Sequence, residues 1–293
     1  NVSLLGGTIT GYSAFNLKNT NSRFSNTFYV DSPYTLPSLT IQEGGFDFNI
    51  TDTLTIENAL ANNGMLNVRK GTLIVPTYEG TGALCVYDGT NTTITDFNGS
   101  GDIYLFKGSN LTITNYAGTG TIYLEEGATL TIENGATIPN LVIQTTPDET
   151  DFATISTNGN LTISSATYNS GDIKTVGNFI LPSTESTEST RNEIGNLLID
   201  SGELTIETLH AENITTKETT TLNVENGTIT VSENLQNNGS TKAKTLTVKN
   251  VENNKEMNVE TANVSGDFID NDSFVVSTIN FIGDNNQEFL PTS

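Results

Sequence analysis

Several residue types are rare in this sequence of 293 residues, and their scarcity excludes some kinds of chemistry. It has no tryptophan, one cysteine and one histidine. With Cys85 alone, no intrachain disulfide can form. His210 lies in no nucleophile motif, and no cysteine–histidine spacing suits zinc. No glycine-rich phosphate loop precedes a helical pattern. The sequence therefore predicts neither a catalytic triad nor a zinc or nucleotide site.

Positive charge is also scarce. There are 12 basic residues against 34 acidic ones, and the formal net charge is −22. Binding to phosphate groups or to an anionic membrane surface requires lysine and arginine. Apolar runs are too short to span a bilayer. We therefore expect no nucleic-acid partner and no membrane insertion of this segment.

What the sequence does contain is a repeat of nineteen residues across its middle third. Apolar, aromatic and glycine positions all recur at this step. A fixed period in this range indicates one small structural unit stacked on copies of itself. The main series are Leu84, Ile103, Ile122 and Leu141; Ile94, Ile113 and Ile132; Tyr78, Phe97 and Tyr116; and Gly89, Gly108 and Gly127.

Within each unit, the apolar residues form short alternating triplets such as Leu111-Thr112-Ile113. Alternation is the period of a β-strand, and no stretch has sustained helical spacing. Two or three such strands per unit, separated by glycine, asparagine and aspartate, fit one coil of a solenoid. The sequence thus predicts an all-β fold, a single-stranded parallel β-helix with coils of about 16–20 residues. The glycine series predicts a corner where φ is positive.

Changes in the period divide the chain. Residues 1–50 are aromatic-rich and loosely periodic, which favours an N-terminal cap or irregular coils, since terminal repeats are atypical. Residues 51–293 form the predicted continuous solenoid, with loop insertions at 144–158 and 182–194. Near the end, Leu235, Val251 and Phe268 recur at spacings of sixteen and seventeen. Because the last unit stops early, we expect the chain to be a fragment of a longer one.

One acidic group could hold a metal ion. Asp267, Asp270 and Asp272 are the densest carboxylates, and oxygen ligands suit calcium. The alternative is that they are solvated turn residues, since the glycine-rich nonapeptide of calcium-binding rolls is absent. The sequence indicates no other cofactor.

Two tyrosines could form a binding surface. Tyr104 and Tyr123 lie one repeat apart on the face opposite the apolar positions. Exposed tyrosines on a flat sheet can contact sugar rings or a protein partner. Stacked aromatics can equally stabilise the sheet by contact between strands. Both interpretations stay open at this level.

The repeat style resembles that of secreted bacterial surface adhesins, namely the passenger regions of autotransporters and filamentous-haemagglutinin-like exoproteins. The resemblance covers about residues 50–290 and rests on four segments: Asn110–Ile113, Asn160–Ile163, Val224–Val231 and Leu235–Val248. It implies a right-handed parallel β-helix at the cell surface or outside the cell, acting in adhesion, autoaggregation or biofilm formation. These passengers share no site motif, so no residue role is transferred.

The resulting hypothesis is a non-enzymatic adhesin segment, a rigid rod that binds a host or microbial surface glycan or protein. The alternative is a self-assembling structural subunit of a surface layer, sheath or filament, whose partners are copies of itself. A third hypothesis is a polysaccharide-acting enzyme, which requires two carboxylates about 5–10 Å apart. The acidic residues are scattered along the sequence, which disfavours it.

Overall fold

The structure is a computed structural model that describes residues 2–4, 7–8, 15–18, 26–145, 151–186, 191–283 and 287–291. Over these ranges the chain is all-β and contains no helix. Parallel strands stack as a β-solenoid of about 13 turns in total. The predicted fold class is confirmed. Within the same ranges, no helix has the length and apolar character needed to cross a bilayer.

The chain forms two compact units. The first comprises Asn1–Val142 with Ser156–Leu161, and the second comprises Ile143–Ile155 with Thr162–Ser293. Strands β16 (Ala136–Gln144) and β17 (Ala153–Thr167) contribute residues to both. We describe each unit by itself.

The strands of the first unit are β1 (Val2–Leu4), β2 (Gly7–Thr8), β3 (Phe15–Lys18), β4 (Asn26–Val30), β5 (Tyr34–Leu36), β6 (Leu39–Glu43), β7 (Gly45–Ile56), β8 (Ala59–Asn62), β9 (Met65–Glu79), β10 (Ala83–Val86), β11 (Thr90–Phe97), β12 (Ile103–Leu105), β13 (Asn110–Tyr116), β14 (Thr121–Glu125) and β15 (Thr129–Ile132).

The strands of the second unit are β18 (Ile173–Ile180), β19 (Glu185–Ser186), β20 (Arg191–Asn192), β21 (Ile194–Ser201), β22 (Glu203–Thr205), β23 (Thr208–Thr216), β24 (Thr221–Asn237), β25 (Ser240–Asn253), β26 (Glu256–Val264), β27 (Phe268–Asp270), β28 (Ser273–Phe281) and β29 (Phe289–Pro291).

Strand register in the first unit follows the nineteen-residue step. Leu84 pairs with Ile103, and Ile103 pairs with Ile122. On the neighbouring strands, Ile94 pairs with Ile113. All of these side chains are buried, at 1% exposure or less. Fully burying one such side chain contributes about 1.5–3 kcal/mol, so the inward ladders are the main source of stability.

An aromatic ladder fills part of this interior. Phe97 lies between Tyr78 and Tyr116, at ring-centroid distances of 4.9 and 5.5 Å and interplanar angles of 10° and 9°. Asn62 Nδ2 donates a hydrogen bond of 2.7 Å to the Tyr78 hydroxyl. Gly118 packs against the ladder, because a Cβ there would lie 2.7 Å from Phe97 Cε1. The recurrent aromatics and this glycine are therefore architecture.

The predicted glycine corner is confirmed. Gly89, Gly108 and Gly127 have φ of 71°, 75° and 81°. Gly89 N donates to Gly108 O at 3.3 Å, and Gly108 N donates to Gly127 O at 3.1 Å. The corner thus satisfies its backbone groups between coils, and glycine adopts this conformation without the cost of a Cβ.

The second unit shows the shorter spacing. Leu235 pairs with Val251, and Val251 pairs with Phe268, as their sequence spacing predicts. Each of these residues is followed by a short apolar triplet, such as Leu246–Val248 or Met257–Val259. These triplets belong to two different columns of stacked strands, however. Met257 pairs with Thr241, whereas Leu246 pairs with Ala262. A coil of this length holds two strands with similar patterns, so sequence alone does not assign each triplet to its column.

A buried polar ladder crosses the interior of the second unit. Asn237 Nδ2 donates to Asn253 Oδ1 at 2.7 Å, and Asn253 Nδ2 donates to Asp270 Oδ1 at 2.8 Å. Thr216 Oγ1 donates to Asn237 Oδ1 at 2.9 Å. Asn237 and Asn253 are fully buried, and Asp270 is 8% exposed. Buried polar groups need such partners. We call Thr216, Asn237, Asn253 and Asp270 the buried amide ladder.

Three regions singled out by the sequence have strand structure. In the N-terminal region, Phe28 pairs with Phe48 in parallel register. Strand β17 covers residues 153–158, which lie in the first predicted insertion. The second predicted insertion contains β19 and β20, an antiparallel pair. Residues 146–150 and 187–190 lie outside the described residues.

Candidate functional site

The candidate site is an outward sheet face of the first unit, formed by β10, β12 and β14 and the residues that follow them. Cys85 pairs with Tyr104, and Tyr104 pairs with Tyr123. Their flanking residues Leu84, Val86, Ile103 and Leu105 point inward and are buried. Alternation along a strand therefore directs the tyrosines outward.

Tyr104 and Tyr123 stack on each other. Their ring centroids are 4.5 Å apart and the ring planes differ by 3°. Both side chains are half-buried. Burial, followed by the Asp102 carboxylate, raises the pKa of Tyr104 above its ordinary value. Each ring therefore covers one face of the other.

A second stack lies two residues further along. Tyr87 and Phe106 have centroids 4.4 Å apart with an interplanar angle of 16°. Tyr87 directly follows β10 and Phe106 directly follows β12. We call Tyr87, Tyr104, Phe106 and Tyr123 the aromatic face. Tyr87 and Phe106 are also nineteen residues apart, so the repeat could have predicted this second stack.

Polar groups border the aromatic face on one side. The Arg69 guanidinium carbon lies 4.1 Å from the centroid of the Tyr87 ring. Arg69 Nε lies 3.1 Å from Asp47 Oδ1, which also accepts a hydrogen bond of 2.9 Å from Asn67 Nδ2. The cation–π contact and the ion pair hold Arg69 on this side of Tyr87.

Cys85 belongs to the same outward column, yet it is 5% exposed. Burial raises its pKa to about 11, with a smaller opposing effect from Arg69. A thiol held in the protonated form is a poor nucleophile. Its role here is packing within the column that continues through Tyr104.

The chemistry of the aromatic face suits contact with oxygen-rich groups. Ring edges carry the positive part of the aromatic quadrupole and attract oxygen atoms. The hydroxyls of Tyr87, Tyr104 and Tyr123 can donate or accept hydrogen bonds. Glycan hydroxyls and the polar groups of a protein surface both offer matching partners.

The three candidate calcium ligands occupy different environments. Asp267 is exposed, and its Oδ1 accepts a hydrogen bond of 3.1 Å from Glu288 N. Asp270 ends the buried amide ladder, whereas Asp272 is exposed. Within the described ranges, no group of three or more acidic, cysteine or histidine side chains could hold a metal ion.

Comparison of the chain with protein-family models, with curated proteins and with solved structures found no match. The class that the structure defines is therefore the parallel β-solenoid.

Proposed function

We propose that this chain is a non-enzymatic adhesive segment of an extracellular surface protein. It mediates attachment or cell–cell aggregation by binding a glycan or protein on a host or microbial surface. The aromatic face carries the contact, and no cofactor takes part. The resemblance of the repeats to adhesin passengers supports the location and the general role.

The observation that carries this proposal is the pair of outward aromatic stacks. An ordinary solvated sheet face carries polar side chains, whereas four half-buried rings lie side by side here. Aromatic rings with polar borders are typical of surfaces that bind partners.

The test measures binding of the purified chain to a glycan array and to intact bacterial and epithelial cells. The variant Tyr104→Ser, Tyr123→Ser removes one stack, and Tyr87→Ser, Phe106→Ser removes the other. Thr93→Ser, Thr112→Ser is the matched control, because these threonines are also paired outward residues of the first unit. Far-UV circular dichroism verifies folding of each variant.

We expect each aromatic variant to lose at least tenfold in binding, while the threonine variant binds like the parent. An aromatic variant that folds and still binds cells and glycans like the parent would remove the aromatic face from the proposal.

Self-assembly into a surface layer or filament is the second candidate function. Five large apolar side chains in residues 275–290 are 42–56% exposed: Val275, Phe281, Ile282, Phe289 and Leu290. Light scattering over a concentration series, with and without calcium, tests this candidate. Growing polymers would favour it, and dependence on calcium would point to the exposed carboxylates Asp267 and Asp272. A constant monomer mass would favour the adhesin.

A further inference from the structure

The second unit contains an open pocket that is not part of the aromatic face. Its volume is about 520 Å³, and it is lined by residues 180–183, 205–207 and 223–227. This volume is in the range of sites that hold small ligands or single side chains of a partner.

One wall of the pocket is held rigidly. Tyr168, which is fully buried, donates a hydrogen bond of 3.0 Å from its hydroxyl to Pro182 O. Leu181 N donates to Thr205 O at 3.0 Å, and Thr184 N donates to Thr208 O at 2.9 Å. These bonds fix the chain on both sides of Pro182, so this wall is preformed.

The opposite wall is a bulge in β24. The register of β24 shifts between Val224 and Thr228. Gly227 lies so close to the preceding coil that a Cβ would be 1.6 Å from Glu207 O, so only glycine fits. Bulges redirect side chains. Here the bulge places Glu225 and Asn226 in exposed positions at the rim.

The pocket combines an apolar floor with an acidic rim. Leu181, Ile206 and Val224 form the floor and are 2–4% exposed. Ile180 is a large apolar residue that is 50% exposed at the edge. Glu207 and Glu225 are the exposed charged groups, and none of the lining residues is basic.

We propose that this pocket receives an arginine or lysine side chain from an extended segment of a partner protein. The aliphatic stem packs along Ile180 and the floor, and the cationic head bonds to Glu207 and Glu225. Long basic side chains bury their stems in this way, and charge-assisted hydrogen bonds to carboxylates are strong. The net charge of −22 attracts basic partners towards the chain.

This inference goes beyond the proposed function, because it concerns a pocket of the second unit and the basic side chain that the pocket selects. Neutral glycans need side-chain donors as well as acceptors, and one lining donor is already engaged. Asn223 Nδ2 donates to Glu203 Oε1 at 2.8 Å. Two carboxylates beside an apolar floor favour the basic side chain.

The test uses fluorescence anisotropy with a labelled glycine–serine nonapeptide that carries three arginines at alternating positions. A citrulline version of the peptide keeps the shape and removes the charge. Glu207→Gln, Glu225→Gln removes both pocket charges with little change in size. Glu212→Gln, Glu218→Gln is the matched control, since both residues are exposed in the same unit and neither lines the pocket.

We expect the pocket variant to bind the arginine peptide at least tenfold more weakly than the parent, and the control variant to lose less than threefold. Ile180→Ser should also weaken binding, and the citrulline peptide should not bind. Equal weakening in both glutamine variants would overturn the proposal, because general charge would then explain binding. So would failure of the parent to bind the arginine peptide, or binding of mannohexaose that the pocket variant abolishes. None of these outcomes bears on the aromatic face, which is tested separately.

Discussion

The buried amide ladder gives the sharpest prediction about stability. Asn253 is fully buried and makes three side-chain hydrogen bonds. Its Oδ1 accepts from Asn237 Nδ2 at 2.7 Å, and its Nδ2 donates to Asp270 Oδ1 at 2.8 Å and to Ser273 O at 3.1 Å. The substitution Asn253→Ala removes all three bonds and leaves no polar atom in their place.

The magnitude follows from what each partner retains. Asn237 Nδ2 keeps a second acceptor, Glu256 O, at 3.0 Å. The cost therefore falls on the other N–H of Asn237, on Ser273 O and on the bond to Asp270, and a buried polar group left unsatisfied costs about 1–3 kcal/mol. We expect Asn253→Ala to lower the free energy of unfolding of the surrounding strands by about 2–4 kcal/mol.

Asn271→Ala is the matched control. Asn271 Nδ2 donates to Asn254 Oδ1 at 2.7 Å, so it also makes an amide–amide bond between coils. Asn271 is exposed, however, and water replaces the lost partner. We expect its loss to stay within about 0.5 kcal/mol.

Native-state amide hydrogen exchange is the appropriate assay, because each coil contacts only its neighbours and opens locally. The amides of β25, β26 and β28 should exchange faster in Asn253→Ala than in the parent. Their exchange rates should be nearly unchanged in Asn271→Ala. Equal effects of the two substitutions would refute the reasoning that burial, rather than the bond itself, sets the cost.

Two further predictions concern an ion pair and the inner aromatic ladder. The hydrogen bond from Lys217, opposed by partial burial and aided by Lys174, lowers the pKa of Asp200 below 3.8. The stability that this carboxylate contributes is therefore present above about pH 4 and lost as the pH falls through its folded pKa. Asp200→Asn should lower the free energy of unfolding by up to about 1 kcal/mol at pH 7. In urea unfolding, its free energy of unfolding should also fall less steeply below about pH 4 than that of the parent, and an unchanged fall would contradict this. Gly118→Ala should cost about 1–3 kcal/mol because its Cβ would lie 2.7 Å from both Phe97 and Tyr116, and Phe97→Leu in the same chain should recover only the part of that loss that Phe97 causes. Strictly additive unfolding free energies in the double variant would show that the two residues are not coupled.

Much of the fold could be predicted because repetition carries register information. A step of nineteen residues pairs Leu84 with Ile103, and a step of sixteen pairs Leu235 with Val251. Stacking identical positions at the inter-strand distance converts such a period directly into parallel pairing. The glycine corner followed from the same step, since a conformation that needs glycine recurs in every coil.

The candidate site was only partly predictable. The spacing placed Tyr104 over Tyr123, but it did not show that their faces cover each other, which depends on side-chain rotamers. The burial of Cys85 could not be predicted either, because Cys85 occupies an outward position of the alternating strand and is nevertheless 5% exposed. The pocket beside Gly227 was not predictable either, since bulges break the period on which sequence reasoning depends.

Hydroxyl-radical footprinting of the chain bound to the glycan that the array selects shows whether the aromatic face makes the contact. We expect reduced oxidation at Tyr87, Tyr104, Phe106 and Tyr123. Tyr29 and Tyr34, which are half-buried elsewhere in the first unit, should be oxidised at the rate of the free chain. Protection of other residues with unchanged oxidation of the aromatic face, or an absence of binding to any glycan or cell, would contradict the account.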